Sequence, residues 1–395
     1  MLKKSISISL ILLITLLSII VSNASCSMSS PVENNRFVEL LTLLPASAKN
    51  GGRVVLIDYE RILNEYGVSL YTPDNQTKTR EELSDNLMAA AKEKQISGIN
   101  VWLLGSHYTG WSRSMLISTI QTEYVGYDAT YVDAEINNIN LLPQRGLEEL
   151  DFDPDLMVAA IGRYDPQATS DALSNKDEWP SWVIEQFAIE NHRNIPIYSW
   201  HNGTEGYFKD SFSPPHLDIQ GVARPFAVSV GHLFTANDVK VVSSMIDAYL
   251  DKAPNLADVP EYALAAQWMF DLGVFGATIS DHTLANNYMY SLAPSITPKL
   301  KKFLTYSTGG GIDEQGGFIA LVIVHDNSHL AEENVSLLEQ RIANTLQQSE
   351  ELSGLIHNTK IRLEGRVIIS KIYTNSETLW GGIIESYGLL IHEED

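Results

Sequence analysis

The chain has 395 residues, with 27 basic against 49 acidic side chains and a formal charge of −22. Such an excess of carboxylates repels nucleic acid and anionic lipid headgroups, and no basic cluster offsets it, so neither is an expected partner. Hydrophobic residues make up 44% of a chain free of low-complexity tracts, which is enough for a folded body, and the length calls for more than one core.

The first thirty residues decide where that body works. Lys3 and Lys4 precede an apolar run from Ile6 to Val21, then Ser22-Asn23-Ala24-Ser25-Cys26, and no charged residue recurs until Glu33. A basic start, a short apolar stretch and a small-residue end are the parts of a secretory signal. Three fates fit it. Ser22 and Ala24 suit ordinary cleavage after Ala24. Ala24-Ser25-Cys26 resembles a bacterial lipobox, although Asn23 stands where Leu is usual. Retention is the third fate, since about 20 apolar residues span a bilayer and the basic start would stay inside. Cys26 is the sole cysteine and Ser27 to Pro31 reads as a flexible tether, which favours lipidation of Cys26. All three fates export the body.

Losing Lys3 and Lys4 leaves 25 basic against 49 acidic residues, a net charge of −24. Without further cysteines the body has no intramolecular disulfide. An exported eukaryotic chain of this length usually carries several, so a bacterial envelope is the indicated setting. The sequons at Asn75, Asn202 and Asn334 then read as chance.

The expected division is a signal or anchor over 1–26, a tether over 27–35, an N-terminal domain over 36–150 and a C-terminal domain over 151–395, the last divisible into 151–300 and 301–395. Phe37 to Leu44 reads as a short apolar helix stopped by Pro45. Val54 to Ile57 is a buried strand running into a helix at Asp58-Tyr59-Glu60-Arg61. Thr79 and Glu82 form a capping box ahead of the helix face Leu83, Leu87 and Ala91. Val101 to Leu104 is a second strand, with a helix near Met115, and Ala129 to Ile136 is extended.

Beyond Asp151-Phe152-Asp153-Pro154-Asp155 the pattern restarts. Leu156 to Ile161 is a strand, followed by a short helix at Asp165-Pro166. Ile195 to Trp200 and Pro225 to Phe234 are extended. Val239, Val242, Ile246 and Tyr249 share a helical face, Pro254 and Pro260 separate it from a helix over Glu261 to Leu272, and Phe275 to Ile279 is extended. Phe303 to Thr308 and Phe318 to Val324 flank Gly309 to Gly317, which predicts a hairpin with a long mobile loop. Ala331, Val335, Leu338, Ile342 and Leu346 stripe a helix, and Ile361, Leu363, Val367, Ile369 and Tyr373 mark strands with a turn at Glu364-Gly365. A strand runs into a helix at Val54, Val158 and Ile319, with further strands after each. The expected fold is α+β: mixed or antiparallel sheets with helices packed on one face, in repeated strand-helix-strand-strand modules.

The motifs that could carry chemistry mostly fail on their own terms. Gly105 to Ser112 has the glycine spacing of a phosphate-binding loop, but Trp111 stands where the lysine belongs. Asp151, Asp153 and Asp155 alternate as in a calcium loop, yet Leu156 replaces its glycine and Gly162 its bidentate glutamate. His192, His201, His216 and His232 lie in one segment without metal-ligand spacing, and His201 and His216, in turn-rich sequence, are the pair to test for a metal. Ser280-Asp281-His282 sets three triad residue types side by side, whereas triads are assembled in space from separated positions. No dinucleotide fingerprint and no nucleophile elbow is present. No catalytic, metal or cofactor residue is therefore assigned, and no cofactor is expected.

Some stretches resemble uncharacterised bacterial envelope proteins of unknown function. They are Leu44-Pro45-Ala46 before Arg53–Asp58, Met157–Tyr164 with Asp165, Arg224-Pro225-Phe226-Ala227-Val228, Met245 to Leu250, and Leu256 to Tyr262. The resemblance implies an exported modular α+β body and no particular chemistry. The expected function is that of an exported, membrane-tethered envelope protein acting by binding or scaffolding. Two alternatives stand: an envelope hydrolase using Asp or Glu carboxylates, and a ligand-binding lipoprotein of a transport system. The expected location is the cell membrane, with the body outside the cytoplasm, or the secreted fraction.

Overall fold

The structure is a computed structural model that describes residues 35–50, 53–66, 126–127, 132–139, 157–174, 187–200, 225–236, 238–282, 297–348, 356–374 and 393. The chain separates into two compact units, Met1–Asn35 and Arg36–Asp395, and every element below belongs to the second.

Polar residues start most of the helices, as backbone physics requires, because the first N–H groups of a helix lack intrahelical partners. Helix α1 (Arg36–Leu41) leads through Pro45 into a single 3-10 turn, Ala46–Lys49. Strand β1 (Arg53–Asp58) ends on Asp58, whose Oδ1 accepts from the Arg61 N–H at 2.9 Å and opens α2 (Tyr59–Tyr66). Strands β2 (Val132–Ile139) and β3 (Met157–Gly162) follow, and Asp165 caps α3 (Pro166–Ser174). Next come β4 (Phe187–His192), β5 (Ile195–Trp200), β6 (Phe226–Ser229) and β7 (His232–Ala236).

Asp238 then caps α4 (Val239–Tyr249), and Asn255 with Asp258 closes a capping box on the short turn Leu256–Asp258. Pro260 opens α5 (Pro260–Asp271), where its missing N–H is no loss. Strands β8 (Val274–Asp281), β9 (Thr305–Asp313) and β10 (Gly316–Val324) lead to α6 (Ser328–Gln348), which Asn327 caps, and then to β11 (Ile356–Glu364) and β12 (Val367–Thr374).

The twelve strands of the described residues join one antiparallel sheet in the order β11-β12-β10-β9-β8-β1-β2-β3-β7-β6-β5-β4. The two halves meet where β1 pairs β8, with Val54 opposite Ile279 and Leu56 opposite Ala277. On either side of that seam the path is alike. Three strands run as neighbours outward (β1-β2-β3 and β8-β9-β10), a helix follows, and the last strand of the half returns to lie beside the third: β7 on β3, β12 on β10. The boundary expected at 151–155 lies outside the described residues, and β2 and β3 pair across it from Asn138↔Met157 to Val132↔Gly162.

Alternation along the strands builds two layers. Val54, Leu56, Ala134, Ile136, Ala159, Phe234, Ala277, Ile279, Ala320 and Val322 face α1, α4 and α5, whose Phe37, Leu40, Met245, Ile246, Tyr262, Ala265 and Met269 complete that core. The opposite face carries Val55, Ile57, Val158, Ile319, Ile368 and Ile372, all buried. Helices α3 and α6 cover it, through Leu173 of α3 and Ala331, Leu338 and Ile342 of α6, each buried. Helices thus lie on both faces, not on the one face expected, because the strand centres are apolar on both sides. Strand β1 is buried at all six of its positions.

The glycine run also departs from expectation. Gly309, Gly310 and Gly311 are inside β9, paired with Ala320, Ile319 and Phe318, and the turn shrinks to Glu314-Gln315 between Asp313 and Gly316. The reason is the irregular register of β8 between Val274 and Gly276, which brings backbone close to β9. A Cβ on Gly309 would sit 2.6 Å from the Gly276 carbonyl oxygen, and one on Gly311 2.8 Å from that of Gly273. Glycine here makes close strand packing possible. Strand β4 has no clear apolar signal and was not anticipated; its hairpin to β5 turns through Arg193 and Asn194 at φ 53° and 65°.

Gly309→Ala pushes a methyl into unyielding backbone and should lower stability by about 1–3 kcal/mol, the usual cost of overpacking. Urea unfolding checks it; an unchanged midpoint would show that the β8–β9 spacing can relax.

Candidate functional site

The antiparallel order gathers chemistry-bearing residues at one end of the sheet. The C-terminal end of β1, the start of β2 and the end of β3 are neighbours there, since Asp58 pairs with Ala134 and Val132 with Gly162. Asp58, Glu60, Asp133 and Arg163 meet at this end, with Arg36 from the start of α1 and Arg61 from α2. Arg36 Nη2 lies 3.2 Å from Glu60 Oε2. Arg61 Nη1 donates to the carbonyls of Phe270 and Val274, both at 3.3 Å, and its guanidinium stands 4.7 Å from the Phe270 ring centroid, so it is committed to holding α2 against α5.

Burial dominates the electrostatics. It pushes the Asp58 carboxyl above the usual carboxylate range, with Glu60 adding to the rise, against the Arg61 N–H and the charges of Arg36 and Arg61. Asp133 is raised too, first by burial and then by Glu60 and Asp58, with Arg163 and Arg36 opposing. Two carboxyls raised by burial, each with Glu60 adding to the rise, are the kind of group from which general acids are made.

A second polar feature runs across the face opposite α1, α4 and α5. Asn137, Thr278, Thr308 and Ser370 fall in one lateral row of the sheet, linked through Val55 and Leu321. All are buried, and Glu135, Arg53 and Ser280 flank the row on the same face. The Asn137 amide donates to Glu135 Oε1 at 3.0 Å. The Asn137 Oδ1 and the hydroxyls of Ser280 and Ser370 are buried without a hydrogen-bond partner among the described residues. Each such atom costs roughly 1–3 kcal/mol of desolvation unless a water or a ligand satisfies it. Beside the row runs a chain of aromatic rings, Phe187–Tyr198–Phe226–Tyr127–Tyr164, with successive centroids 6.2, 5.3, 5.9 and 5.8 Å apart. Burial raises the Tyr127 and Tyr164 hydroxyls far above their ordinary value, and Glu135 and Asp133 add to the rise at Tyr164.

Among the described residues, the most buried histidine is structural. His325, at the end of β10, places Nδ1 3.2 Å from the Arg366 carbonyl and Nε2 2.8 Å from the Asn334 amide nitrogen. Asn334 also donates to the Lys301 carbonyl and accepts the Lys301 N–H, so one neutral imidazole ties α6, the β11–β12 turn and the approach to β9 together. Burial lowers His325 to about 4.

The residues singled out in the sequence are placed as follows. Cys26, the glycine loop 105–112, Asp151, Asp153, Asp155, His201 and His216 lie outside the described residues. His192 Nε2 lies 2.8 Å from Asp247 Oδ1, and His232 Nδ1–H donates to the Val230 carbonyl at 2.9 Å with its ring 4.6 Å from that of Tyr249. Among the described residues, no cluster of three His, Cys, Asp or Glu side chains has the placement to hold a metal ion. Ser280 points to the row of buried polar groups while Asp281 takes the next, opposite position of β8, so the serine and aspartate do not converge as a triad. The sequence places Asp58 at the start of the helix after the strand Val54 to Ile57, whereas the structure makes it the last residue of β1. Asp133 and the row through Asn137 carry no sequence signal.

No family model matches the chain, and no curated protein matches it. Among solved structures, crystal form I of TP0453 aligns over 88% of this chain and 96% of its own, at 9% identity and a TM-score of 0.36. Crystal form III aligns over 87% and 98%, at 9% identity and a TM-score of 0.35. No membrane-crossing helix, long and apolar enough to span, occurs among the described residues.

Two opposed pH effects follow. A neutral His325 favours the fold above the ordinary histidine value; as pH falls from 6.5 toward about 4 the unfolded chain takes up the proton first, and roughly 3 kcal/mol is lost. His325→Gln, neutral throughout, should flatten that part of the denaturation-midpoint profile. Asp58 works the other way. Its raised value means that its contribution favours the fold at low pH and is lost as pH rises through that value. Asp58→Asn keeps an oxygen for the Arg61 N–H and should raise the midpoint at about pH 7.5, with the gain vanishing near pH 4. A loss of stability at neutral pH would show Asp58 to be a stabilising carboxylate.

Proposed function

We propose that the chain is an exported protein of a bacterial envelope, tethered to a membrane through its N-terminal segment, and that its body acts by binding or scaffolding other envelope components. The observation that carries this reading is Cys26: the only cysteine in the chain, directly after a basic and then apolar segment, and ten positions ahead of α1. Two acyl chains on such a cysteine make a durable anchor, at about 0.8 kcal/mol per buried methylene. The matched paths of the two half-sheets support reading the body as one module used twice, a plan that suits a broad binding surface.

A hydrolase acting on envelope polymers is the second reading, favoured by the raised carboxyls of Asp58 and Asp133. It requires that Asp58→Asn and Asp133→Asn each abolish a saturable activity while the protein stays folded. A ligand-binding lipoprotein is the third, favoured by the buried row through Asn137. It requires a rise in melting temperature with a small polar ligand; a hundredfold excess over Kd adds about 2.7 kcal/mol.

Mass spectrometry of the mature N-terminus tests the tether. Acylated Cys26 is the expected first residue. A free Ser25, or retained Met1, would replace the lipid tether by secretion or by an anchor helix.

A further inference from the structure

Strand β2 carries a carboxylate into the interior. Alternation along the strand puts Glu135 and Asn137 on one face, where they are 0% and 1% exposed. The Asn137 amide nitrogen is committed to Glu135 Oε1 at 3.0 Å, so its oxygen is the atom left over, buried without a hydrogen-bond partner among the described residues. The hydroxyl of Tyr164, a residue 3% exposed just beyond β3, is left over in the same way. Glu135 and Asp133 both act electrostatically on this hydroxyl, Tyr127 and Tyr59 push in the same direction, and none of these neighbours is a cation. The Tyr127 and Tyr164 rings stand edge to face beside it, 5.8 Å apart. The neighbourhood is rich in acceptor oxygens, negative in potential and walled by aromatic rings.

The other half of the sheet shows that the fold does not demand these groups. Asp58 ends β1 opposite Ala134, and Asp281 ends β8 opposite Thr305. Counting on from those pairs, Glu135 corresponds to Tyr306 and Asn137 to Thr308, both buried. The third strands agree, since Glu135 pairs with Ala160 and Tyr306 with Ile323. Two residues further, the Gly162 N–H donates to the Gly231 carbonyl at 2.9 Å in one half and the His325 N–H to the Arg366 carbonyl at 3.0 Å in the other. One position of the module thus holds a neutral phenol in one half and a carboxylate in the other. A buried charge is costly to desolvate, and a module that folds with Tyr306 has no structural need of Glu135.

We propose that Glu135, the Asn137 amide oxygen and the Tyr164 hydroxyl form a binding site for the primary ammonium group of a small ligand. The proposal rests on the ligand-binding reading above and names its ligand class. An ammonium carries three N–H donors and no acceptor, which suits a carboxylate, an amide oxygen and a hydroxyl oxygen, and charge-assisted bonds of this kind are the strong ones. The rings of Tyr127 and Tyr164 add faces that attract a cation. An anion is repelled by the same field. A metal ion lacks its ligands, since no three His, Cys, Asp or Glu side chains gather for one among the described residues. Asp133 is only half-buried, so the negative field reaches the surface and draws a cation inward.

The test is thermal unfolding of the full-length protein with methylammonium chloride as the probe, at constant ionic strength. Tetramethylammonium chloride supplies the charge without N–H donors, and acetamide is a neutral polar molecule of similar size. The expected result is a saturable rise in Tm with methylammonium alone. Glu135→Gln keeps an oxygen for the Asn137 amide and should abolish the rise, and Tyr164→Phe should weaken the apparent affinity several-fold. Tyr306→Phe, at the position that corresponds to Glu135, should leave the affinity unchanged. Circular dichroism confirms that each variant folds; if Glu135→Gln does not, the affinity of Tyr164→Phe decides. Equal rises with methylammonium and tetramethylammonium, or a rise that survives the site variants, overturn the ammonium site. A rise with acetamide alone overturns the ammonium and leaves the ligand-binding reading standing. No rise with any of the three overturns the site and takes from that reading the support of the row through Asn137.

Discussion

The structure depends on one strand pair. β1 and β8, distant in sequence, run antiparallel with Val54, Val55, Leu56 and Ile57 opposite Ile279, Thr278, Ala277 and Gly276. Without this seam the chain would hold two half-sheets, each with an unpaired apolar edge, and exposed edges of that kind invite association. With it, the outermost strands are β4 and β11. Strand β11 carries the exposed charged residues Lys360, Arg362 and Glu364, and charge on an edge strand resists further pairing. The demands of the seam reach the neighbouring strands. The irregular register at Phe275 draws β8 onto β9, and the glycines of β9 are where side chains give way to that approach.

The seam also explains where polar groups collect. Antiparallel pairing puts the end of β1 beside the start of β2 and the end of β3, so residues as far apart in sequence as Asp58 and Arg163 belong to one neighbourhood. Burial then acts on their carboxyls more strongly than the adjacent arginines do, which is why Asp58 and Asp133 are raised where ion pairing alone would lower them. The contrast with Asp313 is instructive. At the β9–β10 turn it accepts from Lys371 and Tyr373, both at 2.9 Å, with less burial, and these partners hold its carboxyl below the usual range. Burial raises both carboxyls, and only at Asp313 do the hydrogen-bond donors together outweigh it.

Buried polarity divides into two kinds. Around His325 and Asn334 the polar atoms are matched by one another and by the backbone of Lys301 and Arg366, and the neutral imidazole is a structural joint between α6 and the sheet. In the row through Asn137, acceptor and hydroxyl atoms are left over in the most buried part of the sheet. A row of that kind is expensive to maintain as bare protein, which marks it as the interior feature with the strongest claim on a water chain or a small polar ligand.

Local signals were written in the sequence and proved reliable where they had a local cause. The helices opening at Asp58 and Asp165 were legible because a short polar side chain meets free N–H groups within three residues of itself, and the structure adds the same device at Asp238 and Asn327. The apolar runs of β1, β3 and β10 announce strands because those strands are covered on both faces. The two-sided cover itself, the strand β4, and the glycines of β9 acting as strand positions were not legible, since each depends on what a distant segment brings alongside. The same holds for the site. Asp133 is an ordinary acidic residue until β1, β3 and α1 enclose it, and Asn137 joins Thr278 and Ser370 only through the order in which the strands pair. The sequence by itself determined the charge, the lone Cys26 and the local elements. The tertiary structure alone decided the seam, the gathering of carboxyls at one sheet end and the burial that shifts them, because pairing register and desolvation are properties of neighbours that a linear chain does not contain.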